Sequence, residues 1–508
     1  METHPLWLEH PLPAFPSLDR DLEVDVVVVG AGLTGVTTAY LLKQAGRRVA
    51  LLERGSVASA DTARTTAHLT YVTDQRLYHL VDKFGKDAAR SFWEAGAAAI
   101  DEISRLAEET SSECDFRWVT GYLHEPIDGG VRGETERLQK DAALARELGF
   151  ESQYLESVPY AMRPGVQFRG QAKFHPRKYL GSLLGKIPGG GSHAFENTNF
   201  ESAEEKPLSV EANGHRIRCT HVVIATHNPL MGKKSVVGST LFQTKLALYT
   251  SYVLGAKLPR GKLPEALFWD TNDPYQYLRI EDYPDHQYAI FGGGDVKTGQ
   301  EQDAHEPFSI LEKALSRVLP DAVIDRRWMG QVVETPDGLP FIGQNAEHQF
   351  IATGFCGNGF TLGTLAAMMA RDWCVGRSNP WADLLRIDRR PYHGGLWQYA
   401  KENVDYPYYL LRDRLAGAES GRLKDLRPGE GRVMKLDGTK VAAFRSDDGN
   451  ISFCSPVCTH LKCLVHWNAA DRTWDCPCHG SRFHPDGAVL SGPAEGPLEK
   501  LPSEGRAK

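Results

Sequence analysis

The chain has 508 residues, of which 41% are hydrophobic and 24% are charged. This composition is typical of globular proteins, and the length exceeds what one hydrophobic core usually serves, so it predicts several domains. The net charge of −7 and the absence of any block of basic residues exclude nucleic acid and anionic membrane surfaces as expected partners.

The chain has no apolar run of the ~20 residues that a transmembrane helix needs. Its first 23 residues, METHPLWLEHPLPAFPSLDRDLE, contain acids and prolines where a secretory signal has basic and apolar regions. We therefore expect an N-terminal arm over residues 1–23, no transmembrane segment and a cytoplasmic location.

Residues 24–53 predict a strand, a glycine-rich turn, a helix and a second strand. The turn has the pattern G-x-G-x-x-G and consists of Gly30, Ala31, Gly32, Leu33, Thr34 and Gly35. In such a unit the glycines permit a tight turn and the close approach of a pyrophosphate, which the helix N-terminus attracts. Glu53 closes the second strand, where a carboxylate accepts hydrogen bonds from ribose hydroxyls. The unit predicts a dinucleotide site; the alternative is an ordinary glycine turn.

Beyond this unit, the spacing of apolar residues predicts helices over residues 76–112, 134–148 and 306–320, and short β-strands from about 165 to 300. Residues 350–376 again predict a strand, a glycine-rich turn and a helix. The chain is therefore expected to return there to a nucleotide-binding type of fold.

The last part of the chain predicts a separate module. Residues 377–422 are rich in Pro, Arg and Tyr and form a predicted connecting arm. Residues 423–508 contain short β-like pieces and five of the nine cysteines, which predicts a small all-β domain. In a reducing compartment such clustered cysteines indicate metal or redox chemistry rather than a disulfide framework.

The first 376 residues contain GAGLTG…LLERG, TARTTAHLT at 62–70, and TPDGLPFIG…IATGFCGNGFTLG at 335–363. These segments resemble the D-amino-acid oxidase / glycine oxidase / sarcosine oxidase superfamily of flavoproteins, over roughly residues 20–376. The resemblance implies FAD and an α/β fold, with a Rossmann-like FAD-binding domain and an inserted mixed β-sheet substrate domain, together residues 24–376. The implied FAD-binding parts are about 24–75, 165–240 and 325–376, and the implied substrate domain covers about 110–165 and 241–325.

The same resemblance implies which residues surround the flavin. Those implied near the pyrophosphate and flavin are Arg54, Ala63, Arg64, Thr65 and Thr66, and further cofactor contacts are expected at Ala225, Thr226 and Gly354. Those implied at the pyrimidine side of the flavin are Gly357, Asn358, Gly359, Phe360 and Thr361. A helix N-terminus in that place stabilises the anionic reduced flavin.

Three features of this region differ from the family pattern or allow another interpretation. His227 follows Ala225-Thr226 where relatives often have glycine. Relatives with covalent FAD use a His at the position that Arg64 holds here, and His68 lies further along, so we expect non-covalent FAD. GNGFTLG at 357–363 also fits a second dinucleotide site, for NAD(P)H, but no strand with an acidic or Arg residue follows at the required distance.

Two cysteine–histidine pairs lie near the C-terminus, Cys458-x-His460 and Cys476-x-x-His479. Two thiolates and two imidazoles form a common tetrahedral zinc shell. The ligand types alone therefore do not exclude a zinc site.

The full segments CTHLKC at 458–463 and CPCHGS at 476–481 resemble the Rieske [2Fe–2S] family. In that family two Cys hold one iron and two His hold the other. The resemblance implies the cluster ligands Cys458, His460, Cys476 and His479, and a disulfide between Cys463 and Cys478. A cytosolic disulfide is unusual, and two free thiols are the alternative.

The resemblance also bears on the reduction potential of the cluster. It implies that the Ser481 hydroxyl donates to a bridging sulfide, whereas Phe483 stands where higher-potential members have a tyrosine. A potential below the top of the Rieske range is therefore expected. Cys454 lies outside the motif and is expected to be an inert packed cysteine. The expected task of the domain is one-electron relay.

The segment FWDTNDPYQYLRIEDYPDHQYAIFGGGD at 268–295 is the expected substrate region. It contains Trp269, Asp270 and Asp273 followed by Tyr275, Tyr277 and Arg279, and the last three alternate to one face of a strand. The aromatics suit an amine or amino acid, and Arg279 is expected to clamp a carboxylate. The alternative is a core strand with a solvated Arg. No strong base is required if the amine binds neutral.

Together these features predict a flavin-dependent dehydrogenase that oxidises a C–N bond of an amine or amino acid. Electrons would pass from FAD through the cluster to an external one-electron acceptor, a protein or a quinone. Over its whole length the chain is similar to bacterial flavoproteins of the gamma-glutamylputrescine oxidoreductase-like group with a C-terminal Rieske domain. The alternatives are a reductase component that feeds a partner oxygenase and a nonredox zinc-binding protein.

Overall fold

The computed structural model describes residues 3–130, 132–229, 245–301, 303–389, 401–415, 422–436 and 438–502. Parts of five predicted segments lie outside the described residues: 1–2 of the N-terminal arm, 230–240 of the FAD-binding part, 131, 241–244 and 302 of the substrate domain, 390–400 and 416–421 of the connecting arm, and 437 and 503–508 of the C-terminal domain.

The described α-helices account for the predicted helical segments. They are α1 (Leu33–Gln44), α2 (Leu77–Phe84), α3 (Lys86–Glu109), α4 (Glu134–Glu147), α5 (Pro176–Leu184), α6 (Glu306–Val318), α7 (Gly359–Cys374), α8 (Ala382–Leu385) and α9 (Asp405–Leu415). The helical stretch predicted over 76–112 is divided at Gly85, whose φ of 87° ends α2 before α3 begins.

The described β-strands form five sheets. They are β1 (Leu22–Glu23), β2 (Val26–Val29), β3 (Val49–Leu52), β4 (His68–Leu69), β5 (Arg117–His124), β6 (Ser152–Leu155), β7 (Gly165–Lys173), β8 (His193–Phe195), β9 (Phe200–Glu205), β10 (Leu208–Ala212), β11 (His215–Arg218), β12 (His221–Ile224), β13 (Ala247–Leu258), β14 (Ala266–Asp270), β15 (Gln276–Asp282), β16 (Gln287–Lys297), β17 (Val323–Glu334), β18 (Phe341–Ala346), β19 (Gln349–Thr353), β20 (Gly431–Leu436), β21 (Thr439–Arg445), β22 (Ile451–Cys454), β23 (His466–Asn468), β24 (Thr473–Asp475), β25 (Arg482–Phe483) and β26 (Val489–Ser491).

A six-stranded sheet forms the nucleotide-binding half of the molecule, in the order β18-β19-β12-β2-β3-β8. All of its pairings are parallel except that of β18 with β19. Its central strand, β2, is four buried valines, which is typical of a parallel strand covered on both faces. Helices α1 and α7 pack against each other and cover one face. The predicted α/β fold is confirmed.

A nine-stranded mixed sheet forms the second half, in the order β17-β13-β16-β15-β14-β5-β7-β4, with β6 paired to β7. Its strands β4, β7 and β17 lie in segments that we predicted to be FAD-binding parts. Pairing with distant strands places these three strands in the larger sheet, and the boundaries of the FAD-binding parts stay a prediction. A smaller four-stranded sheet, β1-β11-β10-β9, lies beside the nucleotide-binding half.

The C-terminal domain is all-β, as predicted. It consists of a three-stranded sheet, β20-β21-β22, and a four-stranded sheet, β23-β24-β25-β26. Trp474 and Phe483 are completely buried in its core, beside the cysteines of the motif. The described part of the connecting arm reaches this domain, where Tyr406 of α9 packs on His479 with ring centroids 5.1 Å apart.

Candidate flavin and iron–sulfur sites

The glycine-rich turn is shaped for the close approach of a phosphate. It joins β2 to α1, and the amide of Leu33 at the start of α1 donates to the Thr62 hydroxyl at 3.1 Å. Gly35 lies so close to the preceding turn that a Cβ there would be 1.8 Å from the carbonyl oxygen of Gly30. The helix therefore packs directly on the strand, and its N-terminal amides face the cavity described below.

Glu53 directly follows β3 and stabilises the same turn. Its Oε2 accepts from the amide of Ala31 at 2.9 Å, and its Oε1 accepts from the amide of Gly55 at 3.0 Å. Each carboxylate oxygen has a further lone pair, and Glu53 lines the cavity. The role of Glu53 toward a ribose stays a prediction.

One elongated cavity lies between the six-stranded and nine-stranded sheets. The predicted cofactor residues that line it are Gly30, Gly32, Leu33, Thr34, Glu53, Arg54, Arg64, Thr65, Thr66, Ala225, Thr226, Gly357, Asn358, Gly359 and Phe360. The predicted cofactor residues that do not line it are Ala31, Gly35, Ala63, Gly354 and Thr361. The structure thus brings together, from four distant segments, most of the residues that the flavin resemblance implied.

The polar atoms of this cavity fit a bound flavin. The side-chain amide nitrogen of Asn358, a lining residue at the start of α7, is buried without a hydrogen-bond partner. Such groups require a partner, and an aromatic ring system with several carbonyl and nitrogen acceptors supplies one. The positive end of α7 lies in the same place.

His227 occupies the position where relatives often have glycine. Its φ of 60° lies in the left-handed region, so the backbone adopts the conformation that a glycine would favour. The Thr353 hydroxyl donates to its carbonyl oxygen at 2.5 Å, and the histidine side chain lines the cavity. The backbone of this turn is therefore kept despite the substitution.

The substrate region forms the other end of the cavity. Tyr275, Tyr277 and Trp269 line it. Tyr277 lies flat over the neighbouring strand β16 because its partner there is Gly292; a Cβ at Gly292 would be 2.4 Å from the Tyr277 oxygen. The Tyr277 hydroxyl is 3.1 Å from the hydroxyl of Ser251. The predicted placement of both tyrosines at the site agrees with the structure.

The predicted role of Arg279 as a carboxylate clamp is wrong. Its side chain does not line the cavity, and the residue is 1% exposed. Its guanidinium donates to the carbonyl oxygens of Thr66 at 2.9 Å, Ala67 at 2.6 Å and Phe174 at 2.7 Å, and forms an ion pair with Glu281. With its donors used in this way, Arg279 supports the 64–67 segment from beneath and is not a ligand for a substrate.

Three acidic residues that line the cavity were missed from the sequence, Asp61, Asp74 and Asp295. Asp74 accepts a hydrogen bond from the Tyr275 hydroxyl at 3.2 Å, and Asp295 lies on β16 after the glycine run. Burial raises the pKa of Asp74 well above its usual value and that of Asp295 to about 6. A carboxylate directly after three glycines in an otherwise apolar strand was the available signal for Asp295.

His68 also lines the cavity. Its Nε2 is buried without a partner, and its Nδ1 is 3.0 Å from the Thr66 hydroxyl. Burial, assisted by the charge of Arg279, lowers the pKa of His68 to about 3, so the imidazole is neutral. The signal for His68 was its position in the TARTTAHLT segment.

The two cysteine–histidine loops meet in the C-terminal domain. The disulfide between Cys463 and Cys478 joins them, as predicted. The rings of His460 and His479 face each other with centroids 5.0 Å apart and planes at 86°. Cys458 and Cys476 are buried beneath them.

The donor set fits a positively charged metal centre. One nitrogen of each imidazole, Nε2 of His460 and Nδ1 of His479, is buried without a partner. Burial lowers the pKa of His460 to about 4 and that of His479 to about 3, so both are neutral as metal ligands must be. A hydrogen bond from Cys476 lowers the pKa of the Cys458 thiol. The same contact raises the pKa of Cys476 well above its usual value, so both sulfur atoms ionise together only when a cation lies between them.

The C-terminal domain forms part of the wall of the cavity. Leu490, Ser491 and Gly492 line it directly. Gln331, a lining residue on β17, donates from Nε2 to the carbonyl oxygen of Gly480 at 2.8 Å, and its Oε1 accepts from the Ser491 hydroxyl at 3.1 Å. Because Gly480 directly follows His479, one side chain connects the cavity with a cluster-binding loop.

A buried ion cluster fixes the same contact between the domains. Asp471 accepts hydrogen bonds from Arg64 at 3.0 Å and from Arg482 at 2.6 Å. Burial opposes ionisation of Asp471, but the two guanidinium groups hold its pKa below the usual value. Arg54 adds a hydrogen bond to the carbonyl oxygen of Leu490 at 3.0 Å. Two of the predicted flavin residues, Arg54 and Arg64, therefore hold the C-terminal domain.

The model of the DAO family, described as FAD dependent oxidoreductase, matches residues 25–373, which is more than half of the chain. The chain belongs to this family. The model of the Rieske [2Fe-2S] domain matches residues 419–502. This FAD-dependent oxidoreductase therefore carries a C-terminal Rieske domain, and its cofactors are FAD and a [2Fe–2S] cluster. The nonredox zinc-binding alternative is wrong.

Curated relatives support both assignments. YhfW of Bacillus subtilis (strain 168), which is named as a Rieske 2Fe-2S iron–sulfur protein, is 31% identical over 497 residues. The match covers 96% of this chain and 96% of YhfW. Gamma-glutamylputrescine oxidoreductase of Escherichia coli (strain K12) is 22% identical over 79% of this chain and 95% of its own length. The oxidoreductase is thus similar to YhfW through both domains.

Among solved structures, glycine oxidase from Geobacillus kaustophilus superimposes with a TM-score of 0.60 at 17% identity. The match covers 73% of this chain and 99% of the glycine oxidase. It confirms the flavoprotein fold of the first part of the oxidoreductase. Within the described residues, no helix has the length and apolar character needed to cross a bilayer.

Proposed function

We propose that this oxidoreductase is a dehydrogenase that oxidises a C–N bond of an amine or amino acid and delivers the electrons to an external one-electron acceptor, a protein or a quinone. The observation that carries the proposal is the Gln331 contact: the residue lines the flavin cavity and binds Gly480, next to the cluster ligand His479. An oxidase that used O2 directly would not require such a contact. The expected cytoplasmic location is part of the proposal.

The reaction balances with the residues described. The C–H bond beside the nitrogen breaks, two electrons leave the substrate, and water hydrolyses the resulting imine to a carbonyl compound and an amine. When bound, FAD takes two electrons together and the cluster passes them on singly, so two acceptor molecules are reduced in each turnover. Trp269, Tyr275 and Tyr277 surround the substrate with apolar surface, which limits the access of water during the oxidation.

The proposal needs no strong side-chain base. A substrate amine that reacts in its neutral form already carries the lone pair that assists loss of the C–H bond. His68 is a neutral imidazole among the lining residues of the cavity.

Anaerobic mixing with electron donors tests the direction of electron flow. We expect amines or amino acids to bleach the flavin absorbance and NADPH to leave it unchanged. The 357–363 turn is not followed by the strand with an acidic or Arg residue that an NAD(P)H site requires. The measurement is stopped-flow absorbance of the holoenzyme with each donor in turn. Rapid bleaching by NADPH, with no response to any amine, would instead support the reductase component that feeds a partner oxygenase.

A further inference from the structure

The substrate end of the cavity has an unusual balance of charge. Asp74 and Asp295 line it together with Tyr275 and Tyr277. Glu334, on β17, adds a third carboxyl group, which is close enough to Asp74 to raise the pKa of Asp74. Three acidic groups therefore share one small region with aromatic rings.

No cation of the described lining balances these acids. The only arginines or lysines among the described lining residues are Arg54 and Arg64. Both are used at the interface with the Rieske domain, Arg54 by the Leu490 carbonyl and Arg64 by Asp471. Arg279, which lies on the neighbouring strand, is occupied by three carbonyl groups and Glu281. A substrate carboxylate placed here would meet carboxyl groups and no described counter-charge.

Asp295 gives a separate indication that a ligand binds here. Its Oδ1 is buried in the cavity wall without a hydrogen-bond partner. A buried acceptor of this kind is costly unless a donor reaches it, and an ammonium group is a strong donor. The rings of Tyr275 and Tyr277 beside it, with centroids 5.8 Å apart, have electron-rich faces, and such faces attract cations.

The acid–base state of the three groups is consistent with this view. Burial raises the pKa of Asp295 to about 6 and that of Glu334 to about 7, and raises the pKa of Asp74 well above its usual value. A cation that binds among them favours their charged forms. Near neutral pH the empty region is therefore only partly ionised, and it becomes more anionic around a bound cation.

We propose that the substrate is an amine with a second, positively charged nitrogen, such as a diamine or polyamine, and that Asp295 and Asp74 bind this second nitrogen. A substrate carboxylate is not required. The inference rests on the proposed function and specifies the substrate class for the same cavity. It replaces the carboxylate clamp that Arg279 was expected to supply.

Equilibrium binding of two ions of similar size and opposite charge tests the inference without turnover. The probes are tert-butylammonium, which has N–H donors but no C–H bond beside its nitrogen and so is not oxidised, and pivalate, which has the same shape. With the FAD-loaded full-length protein, we expect tert-butylammonium to perturb the flavin spectrum and pivalate to bind at least about tenfold more weakly. The variant Asp295→Asn should lose about tenfold in tert-butylammonium affinity, because it keeps the shape and removes the charge.

The matched control is Asp285→Asn. Asp285 lies on the turn between β15 and β16, and its side chain is 84% exposed. This variant should bind both probes as the unaltered protein does. Flavin and iron content, measured for each variant, show that the protein is folded and loaded.

Turnover distinguishes failure of this inference from failure of the proposed function. We expect 1,4-diaminobutane to bleach the flavin faster than 4-aminobutanoate, which has the same chain length, and Asp295→Asn to abolish this preference. If the amino acid reacts faster and Asp295→Asn improves it, the substrate class is wrong while the amine dehydrogenase stands. If no amine of any charge bleaches the flavin, the proposed function fails. Preferential binding of pivalate would overturn the inference even before turnover is measured.

Discussion

The substitution Cys476→Ser is expected to abolish the cluster and to leave the flavin in place. Cys476 is 2% exposed and lies among the ligands, and a serine hydroxyl is a poor substitute for a thiolate on iron. Substrate should still bleach the flavin under anaerobic conditions, because Cys476 does not line the flavin cavity. Transfer to a one-electron acceptor should fall by about 100-fold or more, which exceeds the usual effect of residues that only support a ligand.

Cys454→Ser is the matched control for this experiment. Cys454 is 1% exposed and packs in the same core, but it lies outside the motif. It should retain iron, the EPR signal of the reduced cluster and acceptor reduction. Equal loss of iron in both variants would show that the core, rather than ligation, was disturbed. Full acceptor reduction by an iron-free Cys476→Ser protein would contradict the relay role of the domain.

The substitution Gly35→Ala is expected to prevent FAD binding. The new methyl group would lie 1.8 Å from the carbonyl oxygen of Gly30, which belongs to the backbone of the turn. The turn has to open, which separates α1 from β2 and removes the amides that face the pyrophosphate. We expect a destabilisation of more than about 3 kcal/mol, at the upper end of overpacking effects. The measurements are flavin content after purification and the midpoint of denaturant unfolding.

Gly185→Ala tests whether alanine as such is harmful. Gly185 ends α5, and a Cβ there would make an ordinary contact at 3.6 Å with the carbonyl oxygen of Gly181. This variant should bind FAD fully, and its stability should stay close to that of the unaltered protein. An FAD-replete Gly35→Ala protein would contradict the close packing of helix on strand.

The local parts of the molecule were predictable from the sequence. The valine run of β2, the glycine turn and Glu53 are neighbours in sequence, so their geometry follows from local rules of strand, turn and helix. The cluster ligands were equally accessible, because Cys458/His460 and Cys476/His479 are two short motifs that the family resemblance ties to one centre. Both cofactor assignments agree with the family models.

The errors arose where pairing between distant strands decides. Arg279 and Tyr277 alternate to one face of β15, but the Thr66, Ala67 and Phe174 carbonyls that take up Arg279 come from remote segments. Nothing local shows that they stand beneath the strand. Asp74 was missed for a similar reason, because its hydrogen-bond partner Tyr275 is 201 residues away in the sequence.

The contact between the two domains was also beyond local reasoning. Gln331 has no motif of its own, and its meaning comes only from Gly480 and Ser491, which lie on another domain. Arg64 was assigned to the flavin by resemblance, yet its guanidinium binds Asp471 of the Rieske domain. An interface depends on the shapes of two finished surfaces, so single segments do not reveal it.

We propose that the flavin cavity and the Rieske cluster form one electron-transfer unit within a single chain. The most direct measurement is rapid anaerobic mixing with a reactive amine, followed by freeze-quench EPR of the reduced cluster over a wide range of protein concentrations. We expect the EPR signal of the reduced cluster to appear after flavin bleaching at a rate that is independent of protein concentration. A rate that rises in proportion to protein concentration, or a bleached flavin with no cluster signal, would contradict it.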